Sequence, residues 1–162
     1  MMKEDPAARL GEELKRRGWT IAVAESCTAG GLGKRITDVP GASSYFLGGI
    51  IAYHNSVKER FLAVPSSTVS RFGAVSEETA KAMASGCREA FEGDIAIAIT
   101  GIAGPDGGTA DKPVGLVYIS IAGEGGVACE RFRFDGDRSA VRRSAVEAAL
   151  NMALLHLERT CP

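Results

Sequence analysis

The chain has 162 residues, 45% hydrophobic and 24% charged, which suits one globular domain with a real core and excludes a disordered chain. A formal net charge of -1, with acids and bases interspersed, leaves no electrostatic footprint for nucleic acid, and no apolar run approaches the ~18 residues that a membrane span needs. The opening segment MMKEDPAARL lacks the apolar stretch of a secretory signal and Cys27, Cys87, Cys129 and Cys161 form no CxxC pair, so a reducing cytoplasmic setting is expected.

Asp5-Pro6 reads as an N-cap followed by proline at the first helical position, opening a helix that stops at Gly18. Residues 19–24 (WTIAVA) form a nearly continuous apolar run, as in a strand covered on both faces. Glu25-Ser26-Cys27-Thr28 ends that strand, and a second helix is expected to start there and run to about Asp38. A turn at 40–44 leads into a second strand over 46–53 with Gly48-Gly49 inside it. That glycine-rich strand suits the interface of a homo-oligomer as well as an internal contact. A short helix carrying Val57, Phe61 and Leu62 follows, then a polar loop over 65–73.

Ser76 caps a helix through Phe91, with Glu77 and Glu78 well placed against its dipole. Residues 94–100 (DIAIAIT) are a third strand and 101–113 a Gly-rich loop. Strands over 115–122 and 127–134 flank Gly123-Glu124-Gly125-Gly126, a hairpin signal. Asp137 caps a last helix to Glu158, in which Val141, Ala145, Ala148, Met152 and Leu155 recur at helical spacing. This order predicts an α/β fold, a single-domain three-layer α/β/α sandwich with a mixed β-sheet, and leaves the strand order open.

Chemistry is expected where strands end, because ligands of open α/β sheets bind outside the carboxyl ends of the strands. Ser26, at the first strand-to-helix junction, is placed to be a nucleophile, a phosphate ligand or an N-cap. Gly30 and Gly31 beside it permit close approach of a ligand to the backbone. No P-loop is present, since Thr28 stands where its first glycine belongs and Arg35 where Ser or Thr belongs; GxGxxG fails at Ile36. Lys58, one turn inside the helix after Tyr53-His54-Asn55, is either solvated surface, a general base or a clamp on a substrate charge, and Ser-Lys is a known nucleophile pairing. His54 reads as a surface histidine.

Thr100, Gly101 and Gly104, in a Gly-rich stretch after the third strand, read as a binding loop slightly more than as a surface turn. Arg138, ahead of the last helix, has the geometry to reach a phosphate bidentately, while Asp135 and Asp137 shape the turn and cap. Zinc-ligand spacing is absent from a chain with only His54 and His156, so no metal and no cofactor is expected. Cys27 ranks second to Ser26 as nucleophile, for want of an identifiable activating partner.

At these residues the chain resembles the CinA C-terminal domain family, whose members include nicotinamide-nucleotide amidases. The matching pieces are AESCTAGG at 24–31, GASSYFLGGIIAYHNSVK at 41–58, GAVSEETAKAMA at 73–84, TGIAGPDGG with PVG across 100–115, and FDGDRSAVR at 134–142. They cover the chain from about residue 8 to about 157 in order. Ala29 departs from the glycine frequent there in the family.

The resemblance implies hydrolysis of the carboxamide of nicotinamide mononucleotide to nicotinic acid mononucleotide and ammonia, in NAD salvage. Carried over, Ser26 is the nucleophile and Lys58 its base, with Tyr53 as the base left open; Tyr53 and Thr100 position or polarise the carboxamide. Arg138 holds the substrate or the active-site loop, and Thr28, Gly30, Gly31, Ser44, Gly101 and Gly104 contact substrate. Family members can carry a further N-terminal domain of the molybdopterin-binding type, and this chain is expected to be the stand-alone form. The rival reading is a non-catalytic nucleotide-binding or regulatory protein of competence or DNA-damage responses. Bound mononucleotide without ammonia release would favour it.

Overall fold

Alternation along two strands sets the architecture. In the computed structural model, which describes residues 5–161, β1 (Ile21–Glu25) runs parallel to the later strand Ile95–Gly101, with Ile21 opposite Ile95 and Glu25 opposite Ile99. Successive side chains on a strand point to opposite faces. Ile21, Val23, Ile95, Ile97 and Ile99 therefore line one face, and Ala22, Ala24, Ala96 and Ala98 the other. The bulky face packs under α1 (Pro6–Arg17), α2 (Gly31–Thr37) and the C-terminal helix Arg138–Arg159. The alanine face lies against α3 (Asn55–Leu62), α4 (Ser66–Phe72) and α5 (Glu77–Phe91).

The five strands lie in the order β2–β1–β3–β4–β5, where β2 is Phe46–Ile51, β3 is Ile95–Gly101, β4 is Leu116–Gly123 and β5 is Gly126–Arg133. The pairs β2–β1 and β1–β3 are parallel, and β3–β4 and β4–β5 antiparallel. The result is the expected three-layer α/β/α sandwich with a mixed sheet. Residues 21–25 are buried throughout, as a strand covered on both faces requires. No helix among the described residues is long and apolar enough to cross a membrane.

Local signals explain most boundaries. Asp5 accepts the amide of Ala7 with Pro6 at the helix start, and Gly18 closes α1 at φ +66°. Ser76 Oγ accepts from the amide of Thr79 at α5, and Asp137 Oδ1 from that of Ala140 at α6 (Arg138–Arg159).

Some boundaries move. The second helix starts at Gly31 rather than directly after residue 28, because Ala29 and Gly30 sit at φ +47° and +95°, outside the right-handed helical region. Strand β2 stops at Ile51, two residues short of the expected end. The expected polar loop over 65–73 is instead α4, opened by the extended Pro65 and anchored where Val69 packs into the alanine-face core. In α6, Leu155 is exposed while Leu150, Leu154 and Leu157 are buried, a wider face than a single stripe because the helix packs on the sheet, α1 and α2 together. A Cβ on Gly49 would stand 2.5 Å from Val23 Cγ2, so this glycine serves a contact inside the chain.

Candidate active site

The three parallel strands end at one edge of the sheet. There the segment after β2 (Ala52 and Tyr53), the turn after β1 (Ser26) and the end of β3 (Thr100 and Gly101) converge. The chain leaves β1 through α2 on the bulky face, whereas it passes from β2 to β3 through the helices on the alanine face, so this edge holds the crevice at which connections diverge. A cavity of about 200 Å³ opens at it, lined by Ser26, Tyr53, Asn55, Lys58, Thr100 and Arg138 among others.

Alternation continues past the end of β1. Glu25 turns to the α2 side, where its carboxylate accepts the amides of Leu32 (2.8 Å) and Gly33 (3.0 Å). Ser26 turns to the α3 side, and its own amide is tied to the carbonyl of Ile99 at 3.0 Å. Lys58, from α3, meets it there. The side chain is 1% exposed, and Nζ lies 3.2 Å from Ser26 Oγ, 2.7 Å from the Ala52 carbonyl and 3.1 Å from the Tyr53 carbonyl. Among the described residues no carboxylate forms an ion pair with it. Burial away from water lowers its pKa, against a smaller opposing effect of Cys27. When protonated, Nζ donates to all three oxygens; when neutral, two N–H groups serve the carbonyls and the lone pair faces the Ser26 hydroxyl. The surface reading of Lys58 is thereby excluded.

Cys27 points into the bulky-face core, and burial raises its thiol pKa to about 11. A thiol held protonated at neutral pH is a poor nucleophile, which sets it further behind Ser26.

The remaining side chains shape the cavity. Thr100 Oγ1 donates to the carbonyl of Ala74 at 2.8 Å, pinning the segment before α5 across the opening. Arg138 donates through Nη1 to the carbonyl of Gly104 (2.8 Å) and through Nη2 to the hydroxyl of Tyr53 (3.2 Å). Arg138 thus fastens the loop after β3 to the segment after β2, and of its two expected roles the loop-holding one has these bonds behind it. Gly101 and Gly104 serve close packing, since a Cβ would stand 2.7 Å from Val117 Cγ2 and 2.5 Å from Val114 Cγ1 respectively. Gly104 also sits at φ +80°.

Thr28, Gly30 and Gly31 follow Ser26 but do not line the same cavity. Thr28 and Gly31 line a second one of about 420 Å³ between α2 and α6, and Gly30 borders a third beside β2. Ser44 lies away from the Ser26 cavity. It lies in a 3-10 turn ahead of β2, next to Tyr45, whose carbonyl accepts the amide of Ile21 at the start of β1, and its hydroxyl donates to the Gly41 carbonyl. In parallel strands a segment preceding one strand lies at the edge opposite the segment following its neighbour, about 17 Å away for five residues. Ser44 therefore does not reach the Ser26 cavity of its own chain.

Sequence reasoning did not single out Asn55, Glu25 and Arg142. Asn55 lies three residues before Lys58 in the same motif, and Glu25 is a charge at the end of an otherwise apolar strand, which was a usable signal. Among the described residues no group of three or more His, Cys, Asp or Glu side chains is gathered that would hold a metal ion.

The family model described as CinA C-terminal domain matches residues 3–157. A CinA-like protein of Geobacter sp. (strain M21) is 50% identical over 149 residues, 92% of this chain. The chain spans 36% of that relative's length, and 38% of the length of a Desulforudis audaxviator relative that is 50% identical over 156 residues. The crystal structure of the competence/damage inducible protein CihA from Agrobacterium tumefaciens matches with a TM-score of 0.92 at 37% identity, covering 96% of this chain and 95% of that one. A CinA superfamily protein of Klebsiella pneumoniae 700603 matches with a TM-score of 0.93 at 31% identity, over 99% and 100% of the two chains.

Proposed function

We propose that this chain, which belongs to the CinA C-terminal domain family, is a serine amidohydrolase that converts nicotinamide mononucleotide to nicotinic acid mononucleotide and ammonia. The observation that carries the reading is the buried Lys58 Nζ 3.2 Å from Ser26 Oγ, its other two donors already on carbonyls. A lysine so desolvated is biased towards the neutral amine, the form a general base needs.

Ser26 Oγ attacks the carboxamide carbon while its proton passes to Lys58 Nζ. The carbonyl oxygen becomes an oxyanion, and amides of the turn after Ser26 are suitable donors to it. Lys58 returns the proton to the nitrogen, the C–N bond breaks and ammonia leaves. Water, deprotonated by the same amine, then attacks the acyl-serine ester; Lys58 returns that proton to Ser26 Oγ as the acyl C–O bond breaks, freeing the acid and restoring the serine. Tyr53, whose hydroxyl accepts from Arg138, is placed at the cavity to orient the carboxamide. The reaction returns a pyridine nucleotide to NAD salvage in the cytoplasm.

The test is incubation with nicotinamide mononucleotide, measuring ammonia and nicotinic acid mononucleotide, beside Ser26→Ala. Equal amounts of both products from the wild type and none from the variant support the reading. Products from both displace Ser26 as nucleophile. Bound mononucleotide without ammonia from either leaves a non-catalytic nucleotide-binding protein.

A further inference from the structure

Among the described residues that line the Ser26 cavity, no cation is free for a phosphate. Lys58 is engaged with Ser26 and two carbonyls, and Arg138 with Gly104 and Tyr53. The neighbouring cavity between α2 and α6 is twice as large, about 420 Å³, and its charges are unbalanced. Of the charged side chains lining it, Asp38 pairs with Lys34 and Glu147 with Arg35, which leaves Arg142 and Arg143 without an acidic partner among the described residues.

Two polar groups here are buried without a hydrogen-bond partner. One is the hydroxyl of Thr28, a residue 1% exposed; the other is Nε of Arg142. Arg142 makes only a long bond, Nη2 to the carbonyl of Thr28 at 3.3 Å. Buried polar groups are normally satisfied, so an orphaned hydroxyl beside an orphaned guanidinium N–H, at one cavity wall, points to a ligand that supplies acceptor oxygens.

The two cavities have no lining residue in common, but near neighbours along the chain line them. Ser26 lines one and Thr28, two residues on, lines the other; Arg138 lines one and Arg142, one turn further along α6 or about 6 Å, lines the other. We infer that the groove between α2 and α6 is an anion subsite in which Thr28 and Arg142 hold the phosphate monoester of a substrate whose carboxamide lies at Ser26. Arg143 adds to the positive field at its mouth. The assignment of the carboxamide end rests on the amidohydrolase reading; the anion subsite rests on the groove itself. It makes Arg142 the residue that selects a mononucleotide over its dephosphorylated nucleoside.

Thr28→Val is the cleanest probe, because it removes a hydroxyl that bonds nothing in the protein and keeps the shape. Arg142→Met removes the charge and Arg142→Lys keeps it. Binding of ribose 5-phosphate by calorimetry is measured for all four proteins, and kcat/KM for the mononucleotide and the nucleoside alongside. Ribose 5-phosphate is expected to bind the wild type, to bind Arg142→Met roughly ten- to hundredfold more weakly, and Thr28→Val roughly three- to tenfold more weakly. Arg142→Lys recovers part of the loss, and the mononucleotide-over-nucleoside preference falls in parallel. Ammonia release with an unchanged preference in both Thr28→Val and Arg142→Met overturns the subsite and leaves the amidohydrolase standing. Ribose 5-phosphate captured in an Arg142-dependent way, with no ammonia from any substrate, supports the subsite and overturns the amidohydrolase. No binding of ribose 5-phosphate by the wild type overturns the subsite.

Discussion

The two faces of the sheet are built from the same strands and do different work. On one, Ile21, Val23, Ile95, Ile97 and Ile99 meet α1, α2 and α6 in the larger core. On the other, Ala22, Ala24, Ala96 and Ala98 present methyl groups only, so α5 settles close against the sheet and α3 against α5. The contact is tight enough that a Cβ on Gly86 of α5 would collide with the carbonyl of Leu62 in α3. Small side chains cost apolar burial, but they bring α3 near enough for Lys58 to reach Ser26. The bulky face supplies stability and the capped turn; the alanine face supplies the reactive pair.

The largest expected effect tests the pair itself. Lys58→Met keeps the length and apolar stem of the side chain and removes the amine, so kcat for ammonia release should fall by about 10²–10⁴, the usual weight of a general base. Near-normal turnover at saturating mononucleotide would show that the alanine face does not hold the base. On the other side of the same turn, Glu25→Gln weakens two bonds to the amides of Leu32 and Gly33. A loss of about 1.5–3 kcal/mol is expected in urea unfolding, with a lowered kcat as the Ser26 turn loosens. An unchanged midpoint would mean that the bulky face does not anchor the turn through this carboxylate.

Adjacent residues of β3 compare the faces directly. Ala98→Ile overfills the alanine face and should cost about 1–3 kcal/mol together with activity, by pushing α5 and α3 outward. Ile97→Val leaves a small gap on the bulky face and should cost about 0.5–1.5 kcal/mol with activity intact. Equal losses of activity would erase the proposed division between the faces.

The smallest effect is a pH dependence. Burial holds the Lys58 pKa below its ordinary value near 10.5. Between the lowered folded-state value and the ordinary one, the unfolded chain binds more protons than the folded chain, so stability increases with pH across that window. It is lost again as pH falls through the folded-state value. Unfolding midpoints of wild type and Lys58→Met should diverge there, and parallel curves would mean that Lys58 is not desolvated.

Much of this was legible in the chain because the continuous apolar runs WTIAVA and DIAIAIT, and the caps at Asp5, Ser76 and Asp137, are local properties. Helix α4 was not, since its serines and threonine are weak helix formers and only the packing of Val69 and the entry at Pro65 decide it. Ser26, Tyr53, Lys58 and Thr100 were each identified at or just beyond a strand end, yet their separations in sequence gave no distances.

What the sequence determined by itself was the class of fold, the identity of the strands and the residue types available for chemistry, because these depend on neighbours along the chain. Tertiary structure alone decided that β1 lies between β2 and β3, which brings Ser26 and Lys58 within 3.2 Å and sends Ser44 to the far edge. It alone decided that both ends of the Arg138 guanidinium are engaged while Nε of Arg142 is left without a partner. Hydrogen-bond satisfaction and desolvation are set by atoms from distant parts of the chain, and no local pattern encodes them.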